Sequence, residues 1–228
     1  MFKYETHLHT APVSRCARVS VEENLKFYKS KGYEGVFITN HFIGGNINID
    51  SSATYEEKIN FFFSDYEKGV EIGKKIGLKV FHGAEIPYNG TDFLVYGLDK
   101  EWYLSHPEIL DMKKRNLLEF MIKNGALVIH AHPFREEGYI DHIRLLPRSV
   151  HGVEVINACR TEFENKMAEF YAENYGLLKM AGSDNHVGEK IKALAGILCE
   201  EKIIDEQDFA NKVKCKKIKI FVKQNNEV

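Results

Sequence analysis

Tyr4-Glu5-Thr6-His7-Leu8-His9 lies near the start of the 228-residue chain and reads as a strand. Residues two apart on a strand point to the same side. His7 and His9 therefore form a pair facing one way. Asp184-Asn185-His186 repeats the spacing near the other end, after Leu178-Lys179-Met180-Ala181-Gly182-Ser183. Between them lie Glu85, closing an apolar run that begins at Leu78, and His132, in Val128-Ile129-His130-Ala131-His132-Pro133. His41 follows Gly35-Val36-Phe37-Ile38-Thr39-Asn40. Each of these residues stands where a strand-like run finishes.

Helical stretches separate the runs. Ser20 with Glu23 reads as a capping box for a helix from Val21 to near Gly32. Helical periodicity covers Tyr55 to Ile76, and Pro107 suits the start of a helix running to about Asn124. Further helices are expected over Glu162 to Tyr175 and Glu206 to Lys212. Phe93 to Tyr96, Ala126 to His130, Val153 to Asn157, Ala195 to Leu198 and Ile218 to Val222 read as further strands. Alternating strands and helices argue for parallel βαβ units in a barrel or a large open sheet. In an α/β barrel the C-terminal strand ends share one face. No linker rich in Pro, Gly or Ser divides the chain, so a single domain over 1–228 is expected.

The net charge of -2 gives no general pull toward nucleic acid. Cys16, Cys159, Cys199 and Cys215 contain no CxxC pair and favour a reducing compartment. Met1-Phe2-Lys3-Tyr4-Glu5 lacks the apolar core of a signal peptide, and no run has transmembrane length. A cytoplasmic protein without a membrane partner is expected. Lys212, Lys214, Lys216, Lys217, Lys219 and Lys223 make the C-terminal end basic. That end reads as a solvated edge element, with an acidic partner or nucleic acid as the alternative.

The candidate donors are imidazoles and carboxylates. Imidazole suits zinc, iron or manganese, and a carboxylate such as Glu85 can bridge two ions. The mixture argues against an all-oxygen calcium site, and the lack of a thiolate cluster argues against structural zinc. Paired ions activate a water and clamp the oxygens of a displacement reaction.

His7-Leu8-His9-Thr10, Thr39-Asn40-His41, Gly83-Ala84-Glu85, His130-Ala131-His132-Pro133 and Gly182-Ser183-Asp184-Asn185-His186 together resemble the PHP (polymerase and histidinol phosphatase) superfamily. The resemblance spans nearly the whole chain. It implies an α/β fold, a distorted (β/α)7 TIM-like barrel, with two or three divalent ions (Zn, Mn or Fe). It also implies that His7, His9, Glu85 and Asp184 hold one ion. Glu85 and His132 reach a second with one further ligand. His41 and His186 hold a third, usually with an Asp or His soon after the HxH. Val13-Ser14-Arg15-Cys16 offers neither. There either the third ion is weak, or absent without bound substrate, or Arg15 occupies the space and binds substrate phosphate. After Glu85, Asp92 is preferred as the further ligand over His106, which also precedes helix-starting Pro107.

The expected activity is hydrolysis of a phosphomonoester, on a small molecule or nucleotide, by metal-activated water. The resemblance also permits histidinol-phosphate phosphatase activity, although no residue identifies that amino alcohol. Glu85 and Asp184 are central, and Arg15 and Arg135 are the first candidates to grip phosphate, ahead of Arg160. His130 is a candidate proton donor, against a plainer reading as a supporting strand residue. Glu154 and Asn157 can flank the mouth, and Lys192 reads equally as solvated. Three alternatives accompany this reading. One is a phosphodiesterase or exonuclease on short nucleic acid, with Phe42, Tyr88, Trp102 or Phe134 as stacking platforms. The others are a metal-dependent carbonyl hydrolase and a non-enzymatic binding module.

Overall fold

Residues 1–225 are described by the computed structural model. β1 (Phe2–Leu8), β2 (Gly35–Ile38), β3 (Lys79–Tyr88), β4 (Thr91–Tyr96), β5 (Leu127–Ala131), β6 (Gly152–Asn157), β7 (Leu178–Gly182), β8 (Ala193–Cys199) and β9 (Ile218–Gln224) form one sheet. Its order is β7-β6-β5-β4-β3-β2-β1-β8-β9. The helices are α1 (Val21–Ser30), α2 (Tyr55–Ile76), α3 (Lys100–Ser105), α4 (Lys114–Lys123), α5 (Glu162–Tyr175) and α6 (Glu206–Lys214). Past the end of β7, Asn185 pairs with Leu8 in parallel and draws the sheet into a barrel. There His9 N–H donates to the Asn185 carbonyl at 3.1 Å, and Asn185 N–H donates to the His7 carbonyl at 3.3 Å.

The expected parallel arrangement holds for β1–β2–β3 and β5–β6–β7. It fails at β8, antiparallel to β1, at β9, antiparallel to β8, and within the barrel at β4, which runs antiparallel to both β3 and β5. At β4 the cause is local. Asn89 and Gly90 have φ of 47° and 89°, the left-handed pair that a tight hairpin requires. The helix expected from Pro107 to Asn124 is also divided: a 3-10 turn covers Pro107–Leu110 and α4 begins at Lys114. Both pieces bury apolar side chains, Ile109 in one and Leu118 in the other. Nine residues of unbroken helix would turn these by about 900°, onto opposite faces. The break lets both face the same core.

The barrel interior is apolar, with Tyr4, Phe37, Phe81, Leu94, Tyr96, Leu127, Ile129, Met180 and Ile197 in one cluster. Phe209 of α6 closes it from the end opposite the candidate ligands, its ring 4.2 Å from Phe37 and 5.0 Å from Tyr96. β3 changes neighbour midway: residues to His82 pair with β2, and residues from Gly83 pair with β4. Below β4, His82 N–H donates instead to Glu206 Oε1 of α6 at 2.8 Å. A buried backbone donor is thus satisfied by a side chain. β9 is the sheet edge, and its lysines fit the edge protection expected of a solvated strand. Among the described residues, no helix is long and apolar enough to cross a membrane.

Candidate metal centre

His7, His9, His41, Glu85, His132, Asp184 and His186 converge at one mouth of the barrel, in groups His7/Glu85/His132, His7/His9/Asp184 and His9/His41/His186. Glu85 lies at the middle. Its Oε1 is 3.3 Å from His7 Nε2 and 3.1 Å from His132 Nε2, and its Oε2 is 2.6 Å from His41 Nδ1 and 3.4 Å from His9 Nε2. Asp184 Oδ1 lies 3.5 Å from both His7 Nε2 and His9 Nε2, and 3.4 Å from His186 Nδ1. His7, His9, Glu85 and His132 are buried, whereas the His186 side chain is 26% exposed and marks the open side.

The surrounding hydrogen bonds fix the ring orientations. His7 Nδ1 donates to Glu154 Oε1 at 2.9 Å. Glu154 Oε2 accepts from His132 N–H and from Asn157 Nδ2, which also donates to Asp184 Oδ2 at 3.2 Å. Ser14 Oγ donates to Asn40 Oδ1, so it must accept from His9 Nδ1, 3.1 Å away. With Nδ1 of each ring turned outward, His7 and His9 both aim Nε2 inward. The two Nε2 atoms face each other at 3.1 Å among carboxylate oxygens. Positive charge between them, a proton or a metal ion, makes that arrangement favourable, and the donor set suits zinc, iron or manganese.

The electrostatics make the same demand. Burial opposes charge on His7, yet Glu154 and Asp184 hold it well above its ordinary value. Burial, reinforced by positive His186 and His41, drives His9 well below. Burial likewise opposes ionisation of Glu85, but His41 and His9 hold it well below the usual carboxylate range. Protons on imidazole supply the positive charge here that metal ions would supply.

Backbone features hold the cluster in place. Glu5 sits in a bulge of β1 and accepts from Thr6 N–H, His7 N–H and Ser183 N–H. Burial pushes Glu5 up to about 7 against these hydrogen bonds. His132 and Asp184 have φ of 26° and 55°, strained values at two of the clustered donors. Gly182 passes beneath His7 so closely that a Cβ there would lie 2.5 Å from His7 Cβ and 2.6 Å from Glu154 Oε1.

Comparison with known proteins agrees with this architecture. A family model described as PHP-associated matches residues 162–218. The structure is similar to part of a two-domain Bacteroides vulgatus ATCC 8482 protein containing a predicted PHP-like metal-dependent phosphoesterase. That match has a TM-score of 0.67 and 15% identity, covering 96% of this chain and 64% of the other. By fold, the chain is similar to this PHP-like protein. PsfC from Pseudomonas syringae PB-5123 is similar over 97% of this chain and 92% of its own, with a TM-score of 0.62 and 14% identity. A Bifidobacterium adolescentis ATCC 15703 protein described as a metal-dependent phosphoesterase is similar over 96% of this chain and 97% of its own, with a TM-score of 0.57 and 14% identity. No curated protein sequence is a match.

Seven of the eight expected ligands thus come together, and Asp92 belongs to none of the three donor groups. Its Oδ2 pairs with Arg135 Nη2 at 3.0 Å, while burial and then Glu85 push its carboxyl up. His106 gives Nδ1 to the Trp102 carbonyl and stacks on the Trp102 ring. Arg15 is exposed, its guanidinium 3.4 Å from the Ile47 carbonyl, and it does not fill the third-ion position. Arg135 lies beside the centre, and Arg160 is taken up by Glu137. Lys192 is exposed. His130 bonds Thr91 and stacks on Phe93, and burial, with a smaller contribution from nearby His132, lowers it to about 3. Near neutrality it is therefore the neutral imidazole, with one ring N–H, and not an imidazolium acid. Phe42 is core, packed on Phe62, and Phe134 packs on Tyr171. Sequence reasoning missed Glu5 and Cys16, and gave Ser14 no supporting role. Cys16 Sγ lies 3.2 Å from His41 Nε2. Burial opposes the thiolate, but hydrogen bonds to His186 and His41 bring Cys16 down to about 6.

Proposed function

We propose that this PHP domain is a metal-dependent phosphoesterase and that its substrate is a phosphomonoester of a small molecule or nucleotide. One observation carries the metal reading: Nε2 of His7 and Nε2 of His9 converge at 3.1 Å between the carboxylates of Glu85 and Asp184, within groups of three donors that could each hold an ion. The residues present fit two or three divalent ions. When bound, such ions supply an activated water and neutralise charge on the phosphoryl oxygens.

The chain's own residues supply the remaining work. Glu85 reaches toward four histidines and is placed to tie adjacent ions together. Glu154 and Ser14 fix the tautomers of His7 and His9. Arg135 is the group best placed to grip phosphate. Asp92 and the Gly90 carbonyl anchor its Nη2, while its buried Nε has no hydrogen-bond partner among the described residues. An arginine held this way presents a free donor at fixed geometry. Arg15, on the exposed side, is a weaker claimant.

The test is an assay of metal-loaded protein against phosphomonoesters, a phosphodiester and short oligonucleotides, with a chelated control. Release of inorganic phosphate from monoesters, abolished by chelation, supports the reading. Faster cleavage of the diester or oligonucleotides overturns the monoester assignment, and phosphate release that persists after complete metal removal overturns the metal reading.

A further inference from the structure

The geometry points to Cys16 as a metal ligand: we propose that its thiolate, with His41 and His186, forms the ion position on the open side of the centre. The proposal rests on the metal reading above and adds a sulfur donor to it. Cys16 Sγ stands 3.2 Å from His41 Nε2 and also hydrogen-bonds His186. His41 and His186 already share a donor group with His9. At zinc bond lengths, a sulfur and a nitrogen on one tetrahedral ion are separated by about 3.5 Å. The observed gap is within a few tenths of an ångström of that separation.

The backbone delivers Cys16 to this place. Arg15 N–H donates to the Asn46 carbonyl and Arg18 N–H to the His186 carbonyl, both at 2.9 Å. Ala17 N–H turns back to the Ser14 carbonyl at 3.1 Å. Cys16 is therefore pinned from both sides, and one tie runs to His186 itself. The segment that offers no Asp or His after His9 offers sulfur two residues after Ser14. Coordination would replace the S–H bond by a metal–sulfur bond and release the proton to solvent. A thiolate also shifts preference toward zinc or iron, away from magnesium and manganese.

Cobalt(II) substitution tests this without relying on turnover. Apoprotein loaded with cobalt should show a near-ultraviolet sulfur-to-cobalt charge-transfer band. Cys16→Ser should lose the band and one equivalent of bound ion, and Cys16→Asp should keep the ion count without the band. Cys159, whose Sγ lies 3.4 Å from the Asp184 carbonyl, is the other thiol near the centre, so loss of the band in Cys16→Ser assigns it. Fully loaded wild-type protein without the band overturns the thiolate ligand and leaves the metal centre standing. Failure of the wild type to bind cobalt or zinc at all overturns both. Where Cys16→Ser folds poorly, Cys159→Ser decides: a band that persists there belongs to Cys16, and a band lost there overturns the proposal.

Discussion

Glu85 and Gly182 show how little freedom the centre leaves its residues. Glu85 faces four imidazoles, so Glu85→Ala removes the group shared by neighbouring ion positions. It should bind fewer ions and lose far more turnover than Arg15→Ala. Metal content and rate measured on the same preparations check this, and an unchanged ion count with undiminished turnover in Glu85→Ala would sink the assignment. Gly182→Ala makes the opposite kind of change, adding one carbon. That carbon would collide with His7 Cβ and Glu154 Oε1 at about 2.5 Å, and neither neighbour can retreat from a buried site. Overpacking of this kind typically destabilises by about 1–3 kcal/mol. Urea unfolding should show that loss with reduced metal affinity.

At the scale of the elements, β3 carries a buried histidine that titrates outside the centre. His82 stacks on Phe63 at 4.1 Å, and burial lowers it to about 3. Unfolded, it titrates near 6.5. Below about pH 6.5 the unfolded chain thus binds a proton that the folded chain refuses. Stability is full above that pH and falls as pH drops toward 3, by up to about 1.4 kcal/mol per pH unit for one such group. Between pH 7 and pH 5.5, His82→Phe should lose about 1 kcal/mol less than the wild type. Parallel losses in the two proteins would refute a buried neutral His82.

Elements also mark how far the sequence could be read. The ligand-bearing strand ends were legible because an apolar run followed by His, Glu or Asp is a local pattern. The Ser20–Glu23 capping box and the limits of α2 and α5 were legible for the same reason. The direction of β4 was not, because Phe93 to Tyr96 is a continuous apolar run, the pattern of a buried parallel strand. Nor was the contact of Cys16 with His41, which depends on carbonyls of Asn46 and His186 far along the chain. Nor was the pairing of Asp92 with Arg135, distant in the chain, which no local pattern around Asp92 records.

On the scale of the molecule, α6 seals one end of the barrel and the ligands occupy the other. Bound ions should stabilise the whole, since the donors come from β1, β3 and the chain beyond β2, β5 and β7. A ligand at a hundredfold excess over its Kd adds about 2.7 kcal/mol. For a domain of this size that corresponds to roughly 5–10 °C in Tm. Chelation should lower Tm by that order, and readdition of zinc or manganese should restore it. An unchanged Tm on complete metal removal would contradict binding to the folded state alone.

The reversed strand β4 has a consequence for how such a barrel can diversify. Chain between two parallel strands must travel down the outside before it returns. Between β3 and β4 it turns at once, through Asn89 and Gly90, on the rim that carries Glu85 and Asp92. Arg144 and Arg135 hold the carbonyls of those two turn residues. Residues inserted there would enter the space above the candidate metal centre without altering a wall or a crossover helix. The hairpin tip is a natural port of entry for new specificity, the point where a few added codons reach the substrate by the shortest path.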